Sequence, residues 1–269
     1  MPRSFRVFAA FAGLTILVAV AVAASASTAG SQTAAGTLNL NTALRLVSLL
    51  GPCPPGVTAT GCAARTSTGP FPGLGPVTGT YTFLSDVGPP SCANGFGKAR
   101  AVPVRFAVAS KGEIEFDLAA GVECVNEETE FAVRAQTQTF TVTGGTGIYA
   151  GASGSGTVTR SLGSTDSGSA GIETWTGTLT VPGYEFDVTR PTLTGAVSRT
   201  VRAAKGAKTA RVVFRVTAQD DRDGASRTTC EPRSGSRFTI GRTRVKCWAT
   251  DTSANTGSAS FVVTVKRTR

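Results

Sequence analysis

Residues 140–156 read FTVTGGTGIYAGASGSG, and two interpretations compete for them. The spacing Gly145-x-Gly147-x-x-Ala150 is close to a dinucleotide-binding fingerprint, and Asp166 lies at the distance where such a loop carries its ribose-binding acid. That chemistry requires a helix directly behind the glycines, so that its N-terminus meets the pyrophosphate. The chain after Ile148 instead offers glycines at 151, 154, 156 and 163 among Ser, Thr and Val. Each interior glycine costs a helix about 1 kcal/mol. The segment therefore reads as β-structure: a strand over 139–143, a tight connection at Gly144–Gly147 using positive-φ residues, and a partner strand kept thin by small side chains. Glycine inside a strand marks a bulge or the close approach of another backbone.

Working outward, segments 79–85, 102–109, 113–118, 131–143, 156–160, 173–181 and 184–189 alternate with period two and are punctuated by Gly, Pro, Asn and Ser. Only TLNLNTALRLVSLL, residues 37–50, suits a helix, and it alternates equally well as a strand. After residue 190 the texture turns basic. There ARVVFRVTAQ puts Val212, Phe214, Val216 and Ala218 on one face and Val213, Arg215 and Thr217 on the other, and SFVVTVK groups Phe261, Val263 and Val265. These are half-buried sandwich strands. The fold class is all-β.

The N-terminus reads as a secretory signal peptide over 1–26: Arg3 and Arg6, an apolar run over 7–24, then ASA at 24–26. An uncleaved membrane anchor is the competing reading, and no later segment is apolar enough to span a bilayer. The expected modules are 27–190, with nine Lys+Arg against twelve Asp+Glu, and 191–269, with sixteen against five. The net charges are thus −3 and +11.

Six cysteines pair by proximity as Cys53 with Cys62, Cys92 with Cys124, and Cys230 with Cys247, one of fifteen possible connectivities. An oxidising compartment suits them. The chain has no histidine, which excludes Ser-His-Asp, Cys-His and His-ligated metal chemistry. No catalytic residue, cofactor or metal ligand is assigned. Glu113, Glu115 and Asp117 share one face of a strand and read as its wet side rather than as glycosidase carboxylates. DDRDG, with Asp220, Asp221 and Asp223, reads as a turn, because aligning Gly224 with the EF-hand glycine puts Gln219 and Cys230 at ligand positions. Calcium at those aspartates stays open. Arg199, Arg202, Lys205, Lys208, Arg211 and Arg215 recur every three or four residues, but Gly206 and the β-branched RVVFRV make this a strand, a turn and a strand, spreading the charge. A net of +11 attracts polyanions. Nucleic acid is not expected, since no reading motif is present.

Two resemblances extend this reading. Residues 140–158 resemble the glycine-rich hairpin of dirigent and allene-oxide-cyclase-like β-barrels; over the rest of 37–190 the likeness is textural. The resemblance implies an eight-stranded barrel able to hold a small apolar molecule, and no catalytic position of those families aligns to a numbered residue here. Residues 192–266 are similar to hyalin-repeat (HYR) domains, with Cys230, Pro232, Phe238, Gly241, Val245, Cys247, Asp251 and Asn255 in the family's pattern. That resemblance implies an immunoglobulin-like sandwich, bridged between Cys230 and Cys247, of a kind used in extracellular adhesion.

The sequence thus predicts a glycine-rich eight-stranded barrel-like domain followed by an immunoglobulin-like β-sandwich, in a secreted, non-catalytic binding or adhesion protein of the bacterial cell exterior. The alternative is a small apolar ligand carrier, or an isomerase- or cyclase-like enzyme, in the barrel. The expected partners are an anionic wall polymer or acidic polysaccharide at the basic module and an apolar ligand in the barrel, with no membrane contact after signal cleavage.

Overall fold

The computed structural model describes residues 36–86, 95–126 and 133–268. The expected signal segment and Cys92 lie outside the described residues, and with Cys92 so does the expected Cys92–Cys124 bridge.

The first ten strands are β1 (Thr37–Leu50), β2 (Gly61–Phe71), β3 (Gly75–Asp86), β4 (Gly95–Ala99), β5 (Val102–Val108), β6 (Gly112–Leu118), β7 (Gly121–Asn126), β8 (Val133–Gly145), β9 (Ser153–Thr165) and β10 (Gly168–Thr180). β4 and β5 are one strand broken at 100–101, and β6 and β7 one strand broken at 119–120. Counted that way, eight antiparallel strands follow one another round a ring, and pairing of β1 with β10 from Thr37↔Thr180 to Leu49↔Gly168 closes it. Closure joins the first and last strands, so that the sheet has no terminal strand. The two breaks split one wall: β3 pairs with β5 at 77–80 and with β4 at 85–86, while β8 pairs with β6 at 140–145 and with β7 at 133–137.

Residues 37–50 settle as a strand because a barrel wall buries one of its two faces. Leu38, Leu40, Leu44 and Leu46 point inward at alternate positions. The interior is layered. One layer is aromatic: Phe71, Phe106, Phe116, Phe140 and Trp175 are all buried, with ring centroids 4.9–6.5 Å apart. Mostly edge-to-face contact of this kind packs the five rings of the layer against one another. Gly79 makes room for it, since a Cβ at that position would stand 2.1 Å from the Phe106 ring. Gly79→Ala is expected to destabilise the barrel by about 1–3 kcal/mol through overpacking, read as a lower urea midpoint with an unchanged m-value.

The neighbouring layer is polar. Ser48, Arg65, Tyr81, Gln136, Gln138, Arg160 and Glu173 come from six strands and are all buried. Arg160 Nε donates to Glu173 Oε2 at 3.1 Å and its Nη1 to Gln138 Oε1 at 2.8 Å. Tyr81 Oη donates to Glu173 Oε2 at 3.3 Å, and Trp175 Nε1 to Glu173 Oε1 at 2.9 Å. Arg65 Nη1 donates to Gln136 Oε1 at 2.7 Å, and its guanidinium lies 3.5 Å from the Phe83 ring centroid. Burial holds the Tyr81 hydroxyl above its usual pKa, opposed chiefly by Arg160.

The opening stretch behaves as β-structure. β8 runs to Gly145, its pairing with β6 shifting by a bulge between Glu115 and Phe116. The connection is longer than a tight turn: Gly147–Tyr149 form a single 3-10 turn, and Tyr149, wholly buried, closes that end of the barrel beside Tyr184, 6.2 Å away between ring centroids. Gly147 has φ +61°, and a Cβ there would meet the Lys111 carbonyl oxygen at 2.3 Å. The predicted strand at 184–189 does not form. That segment is an irregular connector: Phe186 and Asp187 are buried at consecutive positions, which the alternation of a strand does not allow.

Beyond it lie β11 (Thr192–Thr194), β12 (Arg199–Arg202), β13 (Thr209–Arg211), β14 (Thr217–Asp220), β15 (Gly224–Ser226), β16 (Thr228–Glu231), β17 (Arg237–Thr239), β18 (Gly241–Thr250) and β19 (Thr256–Lys266). They form sheets β11-β14-β15, β12-β19-β18-β16 and β13-β17. A second core of Val212, Phe214, Phe238, Val245, Cys247, Phe261, Val263 and Val265 lies between them. Burial alternates through 212–218 as expected, although 212–216 joins no ladder. Among the described residues two disulfides are formed, Cys53–Cys62 and Cys230–Cys247, the latter joining directly paired residues of β16 and β18.

Candidate functional site

β18 is amphipathic in the strand sense. Its sequence GRTRVKCWAT turns Val245, Cys247 and Ala249 into the core and leaves Arg242, Arg244 and Lys246 exposed on the opposite face. Side chains two apart on a strand repeat every 6.6–6.8 Å or so, which makes a straight row of three cations. β19 flanks the row with Thr264, Val262 and Ser260, and Glu231 of β16 stands across from Lys246. Past β16, Arg215, Arg227 and Arg233 line an open groove of about 480 Å³ together with Phe214, Thr228 and Ser234. Among the described residues none of these six cations is within ion-pair distance of a carboxylate.

Of the cations singled out from the sequence, only Arg215 reaches this groove. Arg199 donates to the Val213 carbonyl at 3.0 Å and sits 5.7–5.8 Å from the ring centroids of Phe261 and Phe214. Arg202 donates to the Arg267 carbonyl and Arg211 to that of Gly235. The strand-turn-strand course does spread their charge, as expected, with Lys205 and Lys208 at the turn between β12 and β13. The row on β18 was missed, although RTRVK carries the required alternation of charge and β-branching.

Glu113, Glu115 and Asp117 point away from the barrel interior while Ile114, Phe116 and Leu118 fill it, and Glu115 pairs with Arg105 at 3.1 Å. They form a solvent face. The Asp220–Asp223 turn is built as read, with Asp220 Oδ1 accepting from the backbone N–H groups of Arg222 and Asp223. The aspartates of that turn nevertheless part company. Asp221 is exposed, and Asp223 accepts from the Thr252 backbone N–H at 2.6 Å and from its hydroxyl at 3.0 Å, bonds that hold its carboxyl below the usual range. Asp220 turns inward and meets Asp187 and Asp251 instead, one oxygen of each lying within 4.8 Å of the others. Burial, then the neighbouring carboxylates of Asp251 and Asp220, push the Asp187 carboxyl up against the pull of the Thr189 N–H and of Arg222. Asp187 was not singled out from sequence and Asp251 entered only as part of the HYR pattern, because nothing local in either segment records that it meets Asp220.

No curated protein and no solved structure matches the chain. Residues 186–265 match the family model of the HYR domain, a match that spans all three aspartates, the Cys230–Cys247 bridge and the cation row of β18.

Proposed function

We propose that this is a secreted, non-catalytic binding protein of the bacterial cell exterior, which holds an anionic wall polymer or acidic polysaccharide against the basic face of its HYR module. The observation that carries the reading is the row Arg242, Arg244 and Lys246, exposed on β18 and without an ion-pair partner among the described residues, beside the arginine-lined groove. A linear polyanion of variable sequence needs repeated charge on an open surface more than it needs a shaped cavity. Two cystines suit an oxidising exterior, and HYR domains occur in extracellular adhesion-like proteins. The module boundary near residue 190 belongs to the same proposal.

Exchanging Arg242, Arg244 and Lys246 together for glutamine in the full chain is expected to weaken retention on an acidic polysaccharide or isolated wall polymer. Exposed ion pairs contribute about 0.2–1 kcal/mol each, so three amount to roughly 3- to 160-fold. Wild-type binding should also fall steeply with added salt. Binding unchanged by the triple exchange, or by salt, would overturn the assignment; circular dichroism of the variant checks that the sandwich is intact.

A further inference from the structure

The HYR segment holds a second cluster of like charge, of opposite sign and well covered. Asp187, Asp220 and Asp251 are 5 %, 3 % and 8 % exposed. They come from three separate places: the connector after the barrel, the end of β14, and the turn between β18 and β19. Three carboxylates gathered in a covered site repel one another unless a cation or protons intervene. Each is fixed by a backbone N–H bonded to its Oδ1. Asp187 Oδ1 accepts the Thr189 N–H at 3.1 Å, Asp220 Oδ1 accepts two backbone N–H groups, and Asp251 Oδ1 accepts the Asn255 N–H at 2.8 Å. Asn255 Nδ2 ties the group together, donating to Asp251 Oδ2 at 2.8 Å and to the Asp187 carbonyl at 2.9 Å.

What points to a ligand is Asp220 Oδ2. It is buried, accepts no hydrogen bond from the described residues, and belongs to a residue that is 97 % covered, an arrangement that leaves a carboxyl oxygen without a protein donor. We infer that Asp187, Asp220 and Asp251 bind one calcium ion. The donor set is all oxygen, with neither histidine nor thiolate, which selects hard cations over zinc or copper. Oxygens on opposite sides of calcium, each at 2.3–2.6 Å, stand about 4.6–5.2 Å apart, so a trio confined within 4.8 Å fits around one ion. Waters and nearby carbonyls complete its six to eight ligands.

The ion would act as a clasp. Asp187 directly follows Phe186, which is packed into the barrel core, while the turn carrying Asp251 offers the Ser253 carbonyl to the Gly73 N–H of the β2–β3 turn at 2.8 Å. Calcium at this point fastens the connector and that turn to the sandwich. The site differs from the turn-borne trio Asp220, Asp221 and Asp223, of which it uses only the first.

The test is thermal unfolding and calorimetric titration of the full chain with calcium chloride, with magnesium chloride as the competing arm. Extracellular calcium modules have dissociation constants of about 10⁻⁴–10⁻³ M, so roughly 10 mM calcium should raise Tm by about 3–11 °C. Asp220→Asn keeps the turn's acceptor oxygen but removes the charge. It should abolish the calcium response, yet melt at or above wild type in chelator, because the repulsion is relieved. Exposed Asp221→Asn should respond as wild type does. A wild-type Tm indifferent to calcium, an equal response to magnesium, or a full calcium response in Asp220→Asn would each overturn the inference.

Discussion

Glu173→Ala is expected to destabilise the barrel by about 3–5 kcal/mol, seen as a large fall in the urea midpoint. The carboxylate is wholly buried and gathers three donors: Arg160 Nε, Tyr81 Oη and Trp175 Nε1. Removing it leaves the Arg160 guanidinium charged and covered, with Gln138 as its remaining partner and its Nη2 already lacking one. An uncompensated buried charge dominates the effect; the lost attraction alone would be smaller. The companion experiment separates the two. Glu173→Leu combined with Arg160→Met replaces the pair by apolar side chains of similar bulk and should recover most of the loss, because neither charge is then stranded. A single substitution costing under about 1 kcal/mol would show that water reaches this layer.

Trp175→Ala should cost a similar amount, about 3–5 kcal/mol, for a different reason. The indole is wholly buried, with its ring centroid 4.9 Å from Phe106, 5.0 Å from Phe116 and 5.1 Å from Phe140. Those three rings come from β5, β6 and β8, and β5 stands four strands from β10 round the eight-strand ring, so the tryptophan reaches the opposite wall. Truncation opens a cavity that closed walls cannot collapse to fill. Trp175→Phe should lose less, retaining ring contact while giving up the bond to Glu173. Denaturant titration followed by circular dichroism measures both variants, and a truncation costing no more than the phenylalanine exchange would show the layer to be loosely packed.

The polar layer explains why the barrel's interior could be read only in part. Arg160 stands between Val158 and Leu162 at the inward parity of β9, and Glu173 precedes Trp175 by two on β10. A charge on the apolar face of a strand was therefore visible. Its partner was not, because Glu173 is opposite Arg160 only through the β9–β10 register, and Tyr81 reaches the pair from 92 residues away. The aspartate cluster teaches the same point from the other direction. DDRDG drew the eye to neighbours in sequence, whereas Asp220 meets acids that flank it at 33 and 31 residues' distance.

What residue order determined by itself was local and repetitive: the period-two alternation that makes β6, β18 and β19 strands, the glycines that deny a helix after Tyr149, and the HYR pattern around Cys230 and Cys247. These follow because side-chain direction in a strand depends only on parity. Tertiary structure alone decided the ring closure of β1 onto β10, the split wall at β4 and β7, the connector over 184–189, and which buried charges face one another. Those depend on register between strands distant in the chain, where shifting a pairing by one residue reverses every side chain's face, and nothing in a single strand's sequence records its partner's register.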